Sequence, residues 1–247
     1  MGLKAMAEGT LLYEGKAKRI YSTGTNGVLL SRYKDDATAF NAQKKGQIAG
    51  KGAVNCTVAT ILFRYLETEG IATHFVNQLS PTEMTVKAVE IVPVEVVVRN
   101  RAAGTLCKRL GLERGQEIAP PLVEFFYKND DLGDPLITID HIALLQLATP
   151  EQVMILRERA VAIDRLLQAF FLKCGLELID FKLEFGTLPD GSIILADEIS
   201  PDTCRLWNVA DERVLDKDLF RFDLGDPVAG YQEVLHRVEA VAAEIKP

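Results

Sequence analysis

From Ile179 the chain alternates strictly, so that as a strand it sets Asp180, Lys182 and Glu184 on one face and Ile179, Phe181, Leu183 and Phe185 on the other. Pro189-Asp190-Gly191 follows. Asp-Gly is the strongest short hairpin signal, because a type I′ turn needs positive φ at both central residues. With Asp190 and Gly191 in those positions, Pro189 faces Ser192 and, counting outwards, Glu184 stands directly opposite Asp197. Like charges facing each other across a ladder are destabilising. A divalent cation between them removes the repulsion, and Mg²⁺ is commonly held by one or two carboxylates together with nucleotide phosphates. A hairpin whose carboxylates simply face water satisfies the same pattern, so the register alone leaves both readings open.

The 247 residues, 48% of them hydrophobic and 26% charged, suffice for a sizeable core as one large domain or two lobes. No apolar run approaches the roughly 18 residues of a membrane span, and the N-terminus lacks the layout of a signal peptide. Met1-Gly2-Leu3-Lys4-Ala5-Met6 begins like a myristoylation signal, but Met6 stands where Ser or Thr is required. A cytoplasmic location and no membrane partner are therefore expected. Cys56, Cys107, Cys174 and Cys204 are scattered without a Cys-x-x-Cys, which fits reduced thiols used as core filler. A formal charge of −7 and a pI near 5.1 oppose a nucleic-acid partner. Small anionic ligands remain compatible with local basic clusters.

The expected elements begin with two short strands within Leu11 to Ser22 and a third near Val28 to Arg32. Val54, Val58, Ile61, Leu62, Tyr65 and Leu66 follow helical spacing ahead of Gly70, which predicts a helix over roughly Asn55 to Glu69. Strands are expected near Thr73 to Asn77, Met84 to Val89 and Val94 to Arg99, with a hinge at Glu90-Ile91-Val92-Pro93, where Pro93 holds its predecessor extended. Thr149-Pro150-Glu151-Gln152 is a capping box opening a second long helix, and a last helix is expected from Pro227 to Glu244. The mixture is α+β, divided as a β-rich lobe over residues 1–90 and an α+β lobe over residues 91–247.

Gly46-Gln47-Ile48-Ala49-Gly50-Lys51-Gly52 is not a P-loop, since neither the glycine spacing nor the following Ser or Thr is present. It is expected to be a mobile basic loop with Lys44, Lys45 and Lys51 solvated. Gly15-Lys16-Ala17-Lys18-Arg19 caps a predicted hairpin, where backbone N–H groups and cations can cradle phosphates or simply meet solvent. Arg99-Asn100-Arg101-Ala102-Ala103-Gly104-Thr105 combines two guanidiniums, small residues and a hydroxyl, either as an anion pocket or with Arg99 pairing Glu95 along its own strand. His74, His141 and His236 lie in unrelated contexts and are read as structural.

Four signals occur in order: Glu14-Gly15-Lys16-Ala17-Lys18, then Val92-Pro93-Val94-Glu95-Val96-Val97-Val98-Arg99-Asn100-Arg101-Ala102-Ala103-Gly104, then Asp180-Phe181-Lys182-Leu183-Glu184-Phe185-Gly186, and Asp197-Glu198-Ile199-Ser200-Pro201-Asp202. Together they resemble the SAICAR synthetase (phosphoribosylaminoimidazole-succinocarboxamide synthase) family of purine biosynthesis, from about Leu12 to Tyr231. The resemblance implies a two-lobed fold whose N-terminal antiparallel lobe is similar to that of protein kinases and whose C-terminal lobe is similar to ATP-grasp enzymes. It implies ligation of the carboxylate of carboxyaminoimidazole ribonucleotide (CAIR) to L-aspartate, giving SAICAR, ADP and phosphate through an acyl phosphate. ATP and Mg²⁺ are the cofactors implied, and a homo-oligomer, often a dimer, the assembly. Phosphoryl transfer asks for positioning and charge neutralisation, which suits a chain without a nucleophilic triad.

Residue by residue, the resemblance assigns Lys16, Ala17 and Lys18 to the ATP phosphates and Val89 and Ile91 to an apolar hinge for adenine. Glu184 and Asp197 would bind Mg²⁺, and Arg99, Thr105 and Arg205 the 5′-phosphate of the ribonucleotide. Lys182 would face the acceptor carboxylate, Lys128 the γ-phosphate and Asp202 the imidazole. The sequence departs from the family at Asn55-Cys56, where a second asparagine is usual, and no residue is assigned to L-aspartate. A small-molecule kinase would use the same ATP cleft but wants a carboxylate base beside its acceptor, where this sequence has Lys182. A non-catalytic purine-nucleotide sensor would not need the anion pocket.

Overall fold

The computed structural model describes residues 9–39 and 43–245, so the Met1 to Met6 stretch weighed as a lipidation signal lies outside the described residues. In chain order the first half forms β1 (Leu11–Glu14), β2 (Lys18–Ser22), β3 (Val28–Tyr33), β4 (Asp36–Ala39), β5 (Lys44–Gln47), α1 (Lys51–Thr68), β6 (Phe75–Ser80), β7 (Glu83–Lys87) and β8 (Glu90–Ile91). The second forms β9 (Val94–Arg101), α2 (Thr105–Leu110), β10 (Glu117–Tyr127), β11 (Leu136–Ile137), α3 (Ile139–Leu144), α4 (Pro150–Lys173), β12 (Leu176–Thr187), β13 (Ile193–Ala196), β14 (Cys204–Asn208), α5 (Asp218–Phe222) and α6 (Pro227–Glu244).

Two antiparallel sheets carry the fold. The first runs β1-β2-β3-β7-β6, and α1 packs against it. The second runs β11-β10-β9-β12-β13, with β14 and β8 also paired to β12 and α4 packed across β9, β10 and β12. The α+β architecture expected from the sequence is the one observed. Alternation builds the second sheet: Val94, Val96 and Val98 of β9 are fully buried, and Leu156, Ala160, Ile163 and Leu167 present an apolar stripe of α4 to the core. Thr149 caps α4 reciprocally with Gln152 over 3.2 and 2.8 Å, and Pro150 occupies the first turn. Cys56, Cys174 and Cys204 are buried, where the loss of hydration pushes the Cys56 and Cys174 thiols up to about 12.

The basic segment before α1 is not a mobile loop. Lys44–Gln47 pairs with β4, and α1 begins at Lys51 rather than Asn55. Asp35, fifteen residues upstream, accepts the N–H groups of Gly50 and Gly52 at 3.0 and 2.8 Å and so supplies the cap. Lys51, expected in solvent, has a side chain of 0% exposure. The hinge segment enters the second sheet as β8, with Ile91 opposite Gly186. A Cβ on Gly186 would lie 2.3 Å from Cγ2 of Val89, so only glycine allows this crossing.

The hairpin register differs by one residue from the expected one. Glu184 pairs with Ala196 and Thr187 with Ile193, leaving the three-residue loop Pro189-Asp190-Gly191. Gly191 N–H donates to Leu188 O at 2.9 Å, and Gly191 itself is left-handed at φ +85. Pro189 suits the first turn position, and Asp190 Oδ1 accepts the Ser192 N–H and hydroxyl at 2.9 and 2.6 Å. Such a slip would turn Asp197 to the face opposite Glu184. The chain leaves the strand at Asp197 with φ +58, and this left-handed residue brings its carboxylate back to the ammonium that Glu184 also holds.

Candidate active site

A cavity of about 740 Å³ opens between the two sheets. Of the residues assigned by resemblance, all but Thr105 line it. Thr105 is exposed as the first residue of α2, next to Gly104, whose missing Cβ leaves room for the Arg205 guanidinium at 2.6 Å.

The β1–β2 turn supplies the first cations. Lys16 Nζ reaches Asp130 Oδ1 at 2.7 Å, and Lys18 bonds Asp197 while lying 3.1 Å from Glu198 Oε1. Burial alone would lower the Lys18 ammonium, but the Asp197 and Glu198 charges override it and hold it well above its ordinary value. Val89 and Ile91 line the same cavity from the crossing segment.

The second sheet supplies the densest charge cluster. Lys182 Nζ donates to Glu184 Oε1 and, at 2.9 Å, to Glu95 Oε1, and lies 3.6 Å from Asp197 Oδ2. Lys128 Nζ donates to Glu184 Oε1 at 3.1 Å. Burial opposes charge on Lys182, yet Glu184, Asp197 and Glu95 raise it well above the usual lysine range. Burial likewise opposes charge on Asp197, and Lys18 and Lys182 override it to hold the carboxyl well below the usual range. Glu95 moves the other way: burial and the neighbouring Glu184 charge raise it against the pull of Lys182. Among the described residues no group of three or more His, Cys, Asp or Glu side chains is arranged to hold a metal ion.

Sheet register builds the arginine corner. Asp180 on β12 stands opposite Arg99 of β9 on one side and Arg205 of β14 on the other. Its carboxylate accepts from Arg99 Nη1 at 2.7 Å and from Arg205 Nη1 at 2.8 Å. Glu124 Oε2 takes Arg99 Nε at 2.7 Å, and Asp218 takes Arg205 Nε at 2.8 Å. The pairing of Arg99 with Glu95 is thus not observed: Glu95 serves Lys182, and Asp180 is nearer in the ladder. Behind this corner Asp216 accepts the N–H groups of Leu206 and Asp218 at 2.9 and 2.8 Å. Burial, and then the Asp218 charge, push its carboxyl up to about 7.

Asp202 is held from three sides, by Lys51 Nζ at 2.8 Å, the Tyr231 hydroxyl at 2.5 Å and Lys217 Nζ at 3.6 Å. The sequence did not single out Lys51, Lys217 or Tyr231, since 151 residues separate Lys51 from its acid and nothing local announces the pair. Asp180 and Glu95 also belong to the site: Asp180 lies two residues from Lys182 and Glu95 four from Arg99 on the same strand faces, and cross-strand register brings each to a cation of the neighbouring strand. His74 lines the cavity too. Its imidazole is pushed down to about 3, first by burial and then by the Lys18 charge, which keeps it neutral.

A SAICAR synthetase family model matches residues 11–238 of this chain. The chain belongs to the SAICAR synthetase family. It is 68% identical over 237 residues to the phosphoribosylaminoimidazole-succinocarboxamide synthase of Synechococcus sp. strain JA-2-3B'a(2-13), covering 95% of this chain and 96% of the relative. The crystal structure of the enzyme from Ehrlichia chaffeensis superposes with a TM-score of 0.91 at 41% identity, covering 94% and 99% of the two chains. A SAICAR synthetase solved in complex with ADP superposes with a TM-score of 0.90 at 44% identity, covering 92% and 97%. The chain is accordingly an ATP-dependent carboxylate–amine ligase of purine biosynthesis.

Asp216 gives the fold a pH dependence of definite sign. Its folded-state carboxyl titrates above the ordinary 3.8, so it contributes stability that is present below the unfolded pKa and lost as pH rises through about 7. Measured by urea denaturation, the stability of Asp216→Asn relative to the wild type should rise from about pH 5 to about pH 8. A difference independent of pH would contradict this assignment.

Proposed function

We propose that the cleft activates the carboxylate of CAIR with ATP and passes it to L-aspartate. The observation that carries the reading is the convergence of Lys18, Lys128 and Lys182 with Glu184 and Asp197 in one cavity. In the first step a carboxylate oxygen bonds the γ-phosphorus as the bond to the ADP oxygen breaks. In the second the aspartate amine bonds the acyl carbon, phosphate departs, and the amine gives up its proton. Both steps need anions brought together and held in line.

Lys16, Ala17 and Lys18 line the ATP phosphates in this reading, with Val89 and Ile91 against adenine. Lys182 pairs with the acceptor carboxylate and Lys128 with the γ-phosphoryl group. Arg99, Arg205 and Thr105 hold the 5′-phosphate, and Asp202 borders the imidazole. Residues 1–90 act as the ATP lobe and residues 91–247 as the lobe of metal and substrate. Glu184 and Asp197 fit Mg²⁺: both are hard oxygen donors meeting at one position, which the Lys182 ammonium shares, and two carboxylates leave coordination positions for phosphate oxygens. Mg²⁺ held by this pair would neutralise phosphate charge. A cytoplasmic homo-oligomer, such as a dimer, completes the proposal.

A kinase acting on a hydroxyl is disfavoured because it needs a carboxylate base. Although burial would raise Asp202, Lys217, Lys51 and Tyr231 hold its carboxyl well below the usual range, which makes it a poor proton acceptor.

A coupled assay for ADP release, with each substrate omitted in turn, tests the function. Release should require both CAIR and L-aspartate, and release that ignores aspartate without forming SAICAR would sink the ligase reading. Glu184→Gln and Asp197→Asn should each lower turnover by roughly two or more orders of magnitude while circular dichroism stays that of the wild type. Near-normal Mg²⁺-dependent rates in both would remove the metal assignment.

A further inference from the structure

Two carboxylates from neighbouring strands clamp the guanidinium of Arg99. Asp180 of β12 is its ladder partner, and Glu124 of β10 stands opposite Val97, two residues from Arg99 on the same face. Glu124 Oε2 accepts from Arg99 Nε and Asp180 Oδ2 from Arg99 Nη1, each at 2.7 Å. These bonds engage two of the five guanidinium donors and leave the others for a further acceptor. Glu124 is met from its other side by Arg109, whose Nη2 lies 2.7 Å from Oε1 and 2.8 Å from Oε2. Arg109 sits in the last turn of α2, the helix whose first residue is Thr105. Arg99 lines the 740 Å³ cavity, whereas Glu124 and Arg109 stand behind it.

Neutralising Arg99 would take one carboxylate, and Asp180 supplies it. A guanidinium held at Nη1 alone can still swing about that bond, and a second anchor at Nε fixes its plane and with it the direction of the donors that remain. Arg205 is built on the same plan, with Nε on Asp218 and Nη1 on Asp180. We propose that Glu124 and Arg109 are positioning residues for the 5′-phosphate of the ribonucleotide: Glu124 sets the plane of Arg99, and Arg109 holds Glu124 in place and ties it to the helix that carries Thr105. The proposal rests on the assignment of Arg99 and Thr105 to that phosphate. Donors aligned before the phosphate arrives lose less freedom on binding, so the clamp acts on affinity for the phosphorylated substrate and not on the chemical step.

Steady-state kinetics of the full chain, with CAIR compared against its nucleoside, which lacks the 5′-phosphate, test the clamp. Arg109→Met should raise KM for CAIR roughly three- to thirtyfold, with kcat and the KM values for ATP and L-aspartate changed by less than about twofold. For the nucleoside, kcat/KM should be the same in Arg109→Met and the wild type. Arg109→Lys should recover part of the loss, since a cation there still meets Glu124. Glu124→Gln should act in the same direction, because its one acceptor oxygen cannot serve both guanidiniums. Arg109 is partly exposed, so its variants carry the test even if Glu124→Gln fails to fold. An unchanged KM for CAIR in Arg109→Met, or equal losses with CAIR and with the nucleoside, would overturn the positioning role. Failure of the phosphate assignment itself is distinct, because Arg99→Met would then leave KM for CAIR unchanged.

Discussion

A strand buried on both faces cannot carry three ionised side chains unless each finds a partner, and β12 does so along its whole charged face. Asp180 is bracketed by Arg99 and Arg205, Lys182 gathers Glu95, Glu184 and Asp197, and Glu184 also takes Lys128. The partners come from β9, from β14, from β12 itself and from the segments that follow β10 and β13, so the pairings that neutralise β12 also set where the cations of the cavity stand. Removing one member of such a buried set leaves an uncompensated charge and costs far more than an exposed pair would. The geometry of the cleft and the integrity of the second sheet are in this sense one problem.

The same pairings set protonation states. Lys18 and Lys182 stay charged and Asp197 stays ionised because their mutual attraction overrides burial. Ammonium groups held this way are fixed positive charges for phosphate and carboxylate groups, and they need not reorganise when charge shifts along the line of phosphoryl transfer. Asp202 follows the same logic to another end: bound by Lys51 and Tyr231, it ties α1 and α6 to the cavity wall.

Local signals made much of this legible. The capping box at Thr149 and the proline at position 227 fixed the starts of α4 and α6, because helix ends are written within a few residues. The Glu184 and Asp197 pair was legible as a pair but for an incomplete reason. The Asp-Gly signal implied a two-residue loop, whereas Pro189 led a three-residue loop, and the left-handed backbone at Asp197 restored the juxtaposition that the slip would have destroyed. Lys51 could not be read at all. Its helix is capped by Asp35 and its charge is met by Asp202, both remote in sequence, so a lysine in a glycine-rich stretch looked like a solvated one.

In the proposed reaction the carboxylate is first phosphorylated and only then attacked by the amine. Oxygen-18 transfer reads this directly: CAIR labelled in both carboxylate oxygens is turned over with ATP and L-aspartate, and the inorganic phosphate is analysed by mass spectrometry. An acyl phosphate requires that each phosphate released carry one labelled oxygen, with the other retained in the amide. Phosphate free of label, formed at the rate of SAICAR, would contradict the account.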